Sequence, residues 1–70
     1  TPRLFIDLPP QSQNIKLQIA DIFGKEITTL PAIPLQTQVL WDIQKVASGV
    51  YFYQTEIDGE VYRGKIVVSN

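Results

Sequence analysis

The sequence contains no cysteine and no histidine. Without cysteine there is no disulfide. Without either residue the usual zinc and blue-copper ligand sets are excluded. Ser–His and Cys–His nucleophilic arrangements are excluded for the same reason. No apolar stretch approaches the ~20 residues that cross a bilayer as a helix. Charge is low and mixed: six Lys and Arg against seven Asp and Glu give a net charge of −1. Arg3, Lys16, Lys25, Lys45, Arg63 and Lys65 are spread along the chain. They form no basic stripe of the kind that releases counterions from nucleic acid. No signal peptide stands at the N-terminus. The chain begins at Thr1, and the expectation is a piece cut from a longer protein. The missing leader therefore says nothing about the parent's destination. The lack of cysteine fits a reducing compartment or a surface protein built without bridges.

Seventy residues make a single domain, spanning positions 1–70. A chain of this size buries only about 60% of its unfolded surface. Its stability must come from apolar packing and sheet hydrogen bonds, for which 44% hydrophobic content is sufficient.

The punctuation is that of a β protein. Pro9-Pro10, Asn14, Phe23-Gly24, Pro31, Pro34, Ser48-Gly49 and Asp58-Gly59 divide the chain at short intervals. Short strands between turn signals suggest a sandwich or barrel. Leu4 to Leu8 reads as a first strand with Leu4, Ile6 and Leu8 on one face. Pro9-Pro10 ends it. Ile15 to Ile22 reads as a second, with Ile15, Leu17 and Ile19 on one face and Lys16, Gln18 and Ala20 on the other. Gly24 is free to take a positive φ in the turn that follows. Lys25 to Leu30 returns as a third strand, with Ile27 expected on the inner face. Leu30-Pro31-Ala32-Ile33-Pro34 is expected to be an extended loop crossing between sheets. Residues 37–47 fit two templates. Val39, Ile43 and Val46 match a helical stripe, while Gln38 to Trp41 reads equally as a strand.

The last hairpin is the strongest local signal. Val50 to Ile57 leads into Asp58-Gly59, and Glu60 to Val68 follows. Asp-Gly between two β-rich runs predicts a two-residue type I′ turn. That turn sets Ile57 against Glu60, Thr55 against Tyr62, Tyr53 against Gly64 and Tyr51 against Ile66. Tyr51, Tyr53, Tyr62, Ile66 and Val68 then share the core face, and Gln54, Glu56, Arg63 and Lys65 face away. Opposite Gly64, the Tyr53 ring has bare backbone to lie on.

Chemistry-bearing residues are sparse. Ser12, Ser48 and Ser69 sit in turns or at the chain end and read as turn formers. The carboxylates form no calcium loop, and Gly24, Gly49, Gly59 and Gly64 are isolated, so no phosphate loop exists. So thin a domain does not easily form the cleft that a glycosidase carboxylate pair needs. Trp41, Tyr51, Tyr53 and Tyr62 offer a sugar-stacking platform, but the hairpin register turns three of them inward, which favours core filling. Asp21 and Asp42 read as Asx-turn residues. Neither a catalytic site, a metal nor a cofactor is expected.

Three segments together resemble one family. They are Ile19 to Ile27 with Asp21 and Gly24, then Ala47 to Tyr53 with Gly49, Val50 and Tyr51, then Gly64, Lys65, Ile66, Val67 and Val68. In this order and spacing they look like the C-terminal sorting domain of the bacterial type IX secretion system, over residues 4–70. Each motif is weak alone and the set is specific. Two departures stand out. Ala20 occupies a position where the family often has a larger apolar residue, and Thr1-Pro2-Arg3 replaces an Asn-Pro opening.

The resemblance implies an all-β, immunoglobulin-like antiparallel sandwich of about six to seven short strands. It turns residues 37–47 towards strand, with 44–47 as a loop. It implies an export address, carried by a larger secreted or cell-surface cargo and read by the outer-membrane translocon. In many cargoes a cell-surface sortase removes it. The ten residues named above in the motifs are the implied recognition set. The terminal strand Gly64 to Ser69 is the element expected to be read, by strand addition at a sheet edge. Nucleic acid and membrane insertion are not expected. The alternative is an immunoglobulin-like sugar- or protein-binding accessory module of a surface enzyme. An inert spacer is a third reading.

Overall fold

A computed structural model describes residues 3–69. Six strands and no helix make up these residues: β1 (Arg3–Asp7), β2 (Ile15–Ala20), β3 (Glu26–Ala32), β4 (Gln38–Asp42), β5 (Gly49–Ile57) and β6 (Glu60–Val68). They form two antiparallel sheets. One has two strands, β1-β4, and the other four, in the order β3-β2-β5-β6. The all-β sandwich expected from the sequence is therefore present. Thr1, Pro2 and Asn70 lie outside the described residues, and with them the altered opening at Thr1-Pro2.

Alternation builds the core. Ile6, Val39, Trp41 and Ile43 are buried beneath the small sheet. Ile15, Leu17, Ile19, Ala32, Tyr51, Ile57, Ile66 and Val68 are buried from the large one. Trp41 meets Tyr51 across the interlayer, edge to face, with ring centroids 5.6 Å apart. The Tyr51 hydroxyl donates to the Ala47 carbonyl at 2.7 Å, so this buried ring keeps its polar tip satisfied. Gln11, also buried, donates to the carbonyls of Ile33 (2.9 Å) and Gln36 (3.1 Å) and pins the loop between β3 and β4.

Residues 37–47 are β4 followed by a turn. Val39 and Ile43 are four residues apart, so both templates bury them. Trp41 decides: period two buries it, whereas a helix turns it about 200° from Val39. It is 4% exposed.

The bounds of β1, β2 and β3 and the direction of Ile27 are corrected. β1 starts at Arg3 and ends at Asp7, although the Leu8 N–H still donates to the Thr37 carbonyl. β2 ends at Ala20, because Asp21 opens a turn that leaves Ile22 exposed. β3 starts at Glu26 and runs through Pro31 to Ala32, opposite Lys16 and Ile15, where a loop was expected. Proline is tolerated there because β3 is an edge strand. Ile27 is exposed, not inward. Ile19 pairs with Thr28 but Ala20 with Glu26, so a β-bulge makes Ile27 the extra residue. The inward set becomes Thr28, Leu30 and Ala32.

The hairpin has the expected register along its whole length, from Ile57 opposite Glu60 to Gly49 opposite Val68. Asp58 (φ 52°) and Gly59 (φ 81°) both take the positive φ of a type I′ turn. Beyond Gln18 and Gln54 the β2–β5 ladder stops. There the Thr55 hydroxyl donates to the Lys16 carbonyl at 2.9 Å and satisfies it in place of a backbone N–H.

Two stability predictions follow from this packing. A Cβ at Gly64 would overlap the Tyr53 ring, so Gly64→Ala should destabilise by about 1–3 kcal/mol in urea unfolding. Tyr53→Ala should make the same Gly64→Ala change nearly silent in a double-mutant cycle. Thr55→Val leaves the Lys16 carbonyl without its donor and should cost about 1–3 kcal/mol, read the same way.

Candidate functional site

The face of the large sheet turned away from the core is set by strand parity. It carries Lys16, Gln18 and Ala20 on β2, Val50, Phe52, Gln54 and Glu56 on β5, and Val61, Arg63, Lys65 and Val67 on β6. Registers align two rows across three strands. Ala20, Phe52 and Lys65 form one; Gln18, Gln54 and Arg63 form the other. In the second row the Arg63 Nε–H donates to the Gln54 Oε1 at 3.1 Å.

The turn after β2 rises beside this face. Asp21 builds it. Its Oδ1 accepts from the backbone N–H groups of Phe23 and Lys25, each at 2.9 Å. The Asp21 carbonyl accepts from Gly24 at 3.0 Å, and Gly24 takes a φ of 83°. This is the expected Asx turn, and Asp42 makes another by accepting from the Gln44 N–H at 3.0 Å. The Asp21 turn leaves Ile22 and Phe23 exposed.

Between turn and sheet lies an open groove of about 630 Å³. Ala20, Ile22, Phe52 and Gly64 line it together with the charged residues Glu26, Arg63 and Lys65. Asp21, Gly24, Tyr53, Gln18 and Gln54 complete its wall. Segments more than 40 residues apart in sequence thus meet at one place.

The ten residues of the recognition set divide by location. Asp21, Gly24, Gly64 and Lys65 line the groove. Val50 and Val67 pair with each other on the same outer face beside it. Tyr51, Ile66 and Val68 are buried in the core, and Gly49 opens β5. Their part is to hold the hairpin against the small sheet. Phe52, Ile22 and Arg63 line the groove and were not in the set. Phe52 had a readable signal: it is an aromatic at a position whose parity places it with Gln54 and Glu56.

The sugar-stacking platform is not assembled. Trp41 and Tyr51 are both buried and face each other across the core. At the hairpin tip the Tyr62 hydroxyl donates to the Glu60 carboxylate at 3.2 Å, a bond that raises the phenol's pKa. Among the described residues no group of three or more Asp and Glu side chains is placed to hold a metal ion. The groove offers apolar surface, two cations and two carboxylates, Asp21 and Glu26, both engaged in local hydrogen bonds, which suits docking of another macromolecule.

Comparison with known families gives one match. The family model described as secretion system C-terminal sorting domain covers residues 1–69. No curated protein and no solved structure matches the chain.

The Asx turn yields a stability prediction. Asp21→Ala removes the acceptor for two backbone N–H groups and should cost about 1–2 kcal/mol by urea unfolding. Asp21→Asn, which keeps an acceptor oxygen in place, should retain most of that stability.

Proposed function

We propose, from the premise that the chain belongs to the secretion system C-terminal sorting domain family, that the outer face of its large sheet is what the type IX machinery reads. Type IX sorting domains mark proteins for export across the outer membrane, to the cell surface or the medium. In the proposed reading the chain is the address of a larger cargo attached upstream. The translocon binds it as a folded domain, and a cell-surface sortase removes it after passage.

One observation carries the assignment of the surface. Asp21 and Gly24 of the first motif, Phe52 of the second segment, and Lys65 of the third all line the same groove. A folded signal is recognised through its exposed residues, so a groove that collects exposed parts of all three motifs is the economical place for it. The apolar centre, Ile22 and Phe52, supplies desolvation energy on docking. The cations beside it supply orientation.

Removing residues 65–70 does not isolate the signal, because Ile66 and Val68 are core residues. Point changes on the outer face do. Phe52→Glu and Ile22→Asp in a full-length cargo should lower its export about tenfold or more and leave it in the periplasm. Their unfolding midpoints should stay near that of the parent chain, since both side chains are exposed. Undiminished secretion of both variants would overturn the assignment of this face.

A further inference from the structure

The hairpin register determines more than side-chain direction. In a two-residue type I′ hairpin the residues flanking the turn form a hydrogen-bonded pair, and such pairs then alternate with open ones. Ile57–Glu60 is the flanking pair, so Thr55–Tyr62, Tyr53–Gly64, Tyr51–Ile66 and Gly49–Val68 are also hydrogen-bonded. The residues between them on β6 point their N–H and C=O groups away from β5. These are Val61, Arg63, Lys65 and Val67. Among the described residues no strand pairs with that side of β6, which ends the sheet. β1 of the other sheet does not close it either. A groove of about 320 Å³, lined by Leu4, Ile6, Lys65 and Val67 and by Asp7, whose Oδ1 accepts from the Gln38 amide at 2.9 Å, separates the two edges.

The side chains of this open edge carry a pattern. Arg63 and Lys65 stand on the outer face, flanked by exposed Val61 and Val67. Neither cation forms an ion pair among the described residues. A strand laid along β6 places each of its residues opposite one of β6, on the same face. Opposite Arg63 and Lys65 its side chains are outward and meet two cations. Opposite Gly64 and Ile66 they are inward, towards the half-buried Leu4 of the small sheet. A second copy of the chain is a poor occupant. Antiparallel β6–β6 pairing centred on Gly64 sets Arg63 of each copy against Lys65 of the other, and like charges directly opposite are destabilising.

We propose that the open edge of β6 accepts an added strand from a different protein, one that alternates acidic and apolar residues with its acids opposite Arg63 and Lys65. The proposal rests on the reading of the outer face as a docking surface and names the chemistry of what docks.

The test uses the 70-residue chain with two synthetic probes, a peptide alternating Glu and Val and one alternating Lys and Val. The Glu-Val peptide should bind and slow amide exchange selectively at Val61, Arg63, Lys65 and Val67. The double variant Arg63→Glu/Lys65→Glu should lose about tenfold or more in affinity for it and gain affinity for the Lys-Val peptide. Equal binding of both peptides to the parent chain would overturn the proposal. So would absence of binding, protection confined to the β1 or β3 edge, or dimerisation of the chain through the same four amides. The cargo export assay separates the two readings. Loss of export in Phe52→Glu, with no peptide bound at β6, refutes strand addition alone. Normal export of Phe52→Glu, with the peptide bound at β6, refutes the groove reading alone.

Discussion

The β5–β6 hairpin depends on a pair of residues that accept positive φ. Asp58 and Gly59 close a two-residue turn, and that turn allows a single register for nine residues on each side. A slip of one position would exchange the two faces of the strand. Tyr51, Ile66 and Val68 would leave the core, and Phe52, Arg63 and Lys65 would enter it. The contact of Trp41 with Tyr51, which ties the small sheet to the large one, depends on the same parity. So does the fit of the Tyr53 ring over Gly64.

A core this thin has few ways to make up for an error. With no cysteine there is no disulfide to hold a misregistered hairpin. Local polar bonds carry part of the burden instead. Gln11 pins the β3–β4 loop, Thr55 satisfies Lys16 where the ladder ends, and Asp21 builds the turn after β2. These sites are independent of one another in sequence, yet each closes a place where backbone groups lack ladder partners.

The proposed docking surface is a by-product of this arrangement. A sheet buried on one face leaves the other free to vary, and on this one Phe52 and the exposed Ile22 stand among polar neighbours. The residues that fold the domain and those open to a partner therefore alternate along the same strands. The motif segments contain both kinds. That is why Tyr51, Ile66 and Val68 travel with Gly64 and Lys65 in sequence while serving the interior.

Much was legible from local rules. Alternation placed Ile15, Leu17 and Ile19 inside, Asp-Gly set the hairpin register, and the Asx residues marked their turns. These are near-neighbour effects, bounded by the pleat and by allowed φ. What lay beyond them was non-local. Ile27 turned outward because β3 bulges against β2, and Pro31 stayed in a strand because β3 has a neighbour on one side only. The small sheet covers one face of the large one, and the turn at Asp21 rises beside the other. No periodicity within a segment encodes which strands become neighbours. The sequence by itself determined the last hairpin, the inner faces of β1 and β2 and the family to which the chain belongs, because these rest on alternation, turn residues and motif order. The tertiary structure alone decided that Ile22, Phe52 and Lys65 share one groove, because only strand order brings β2, β5 and β6 side by side.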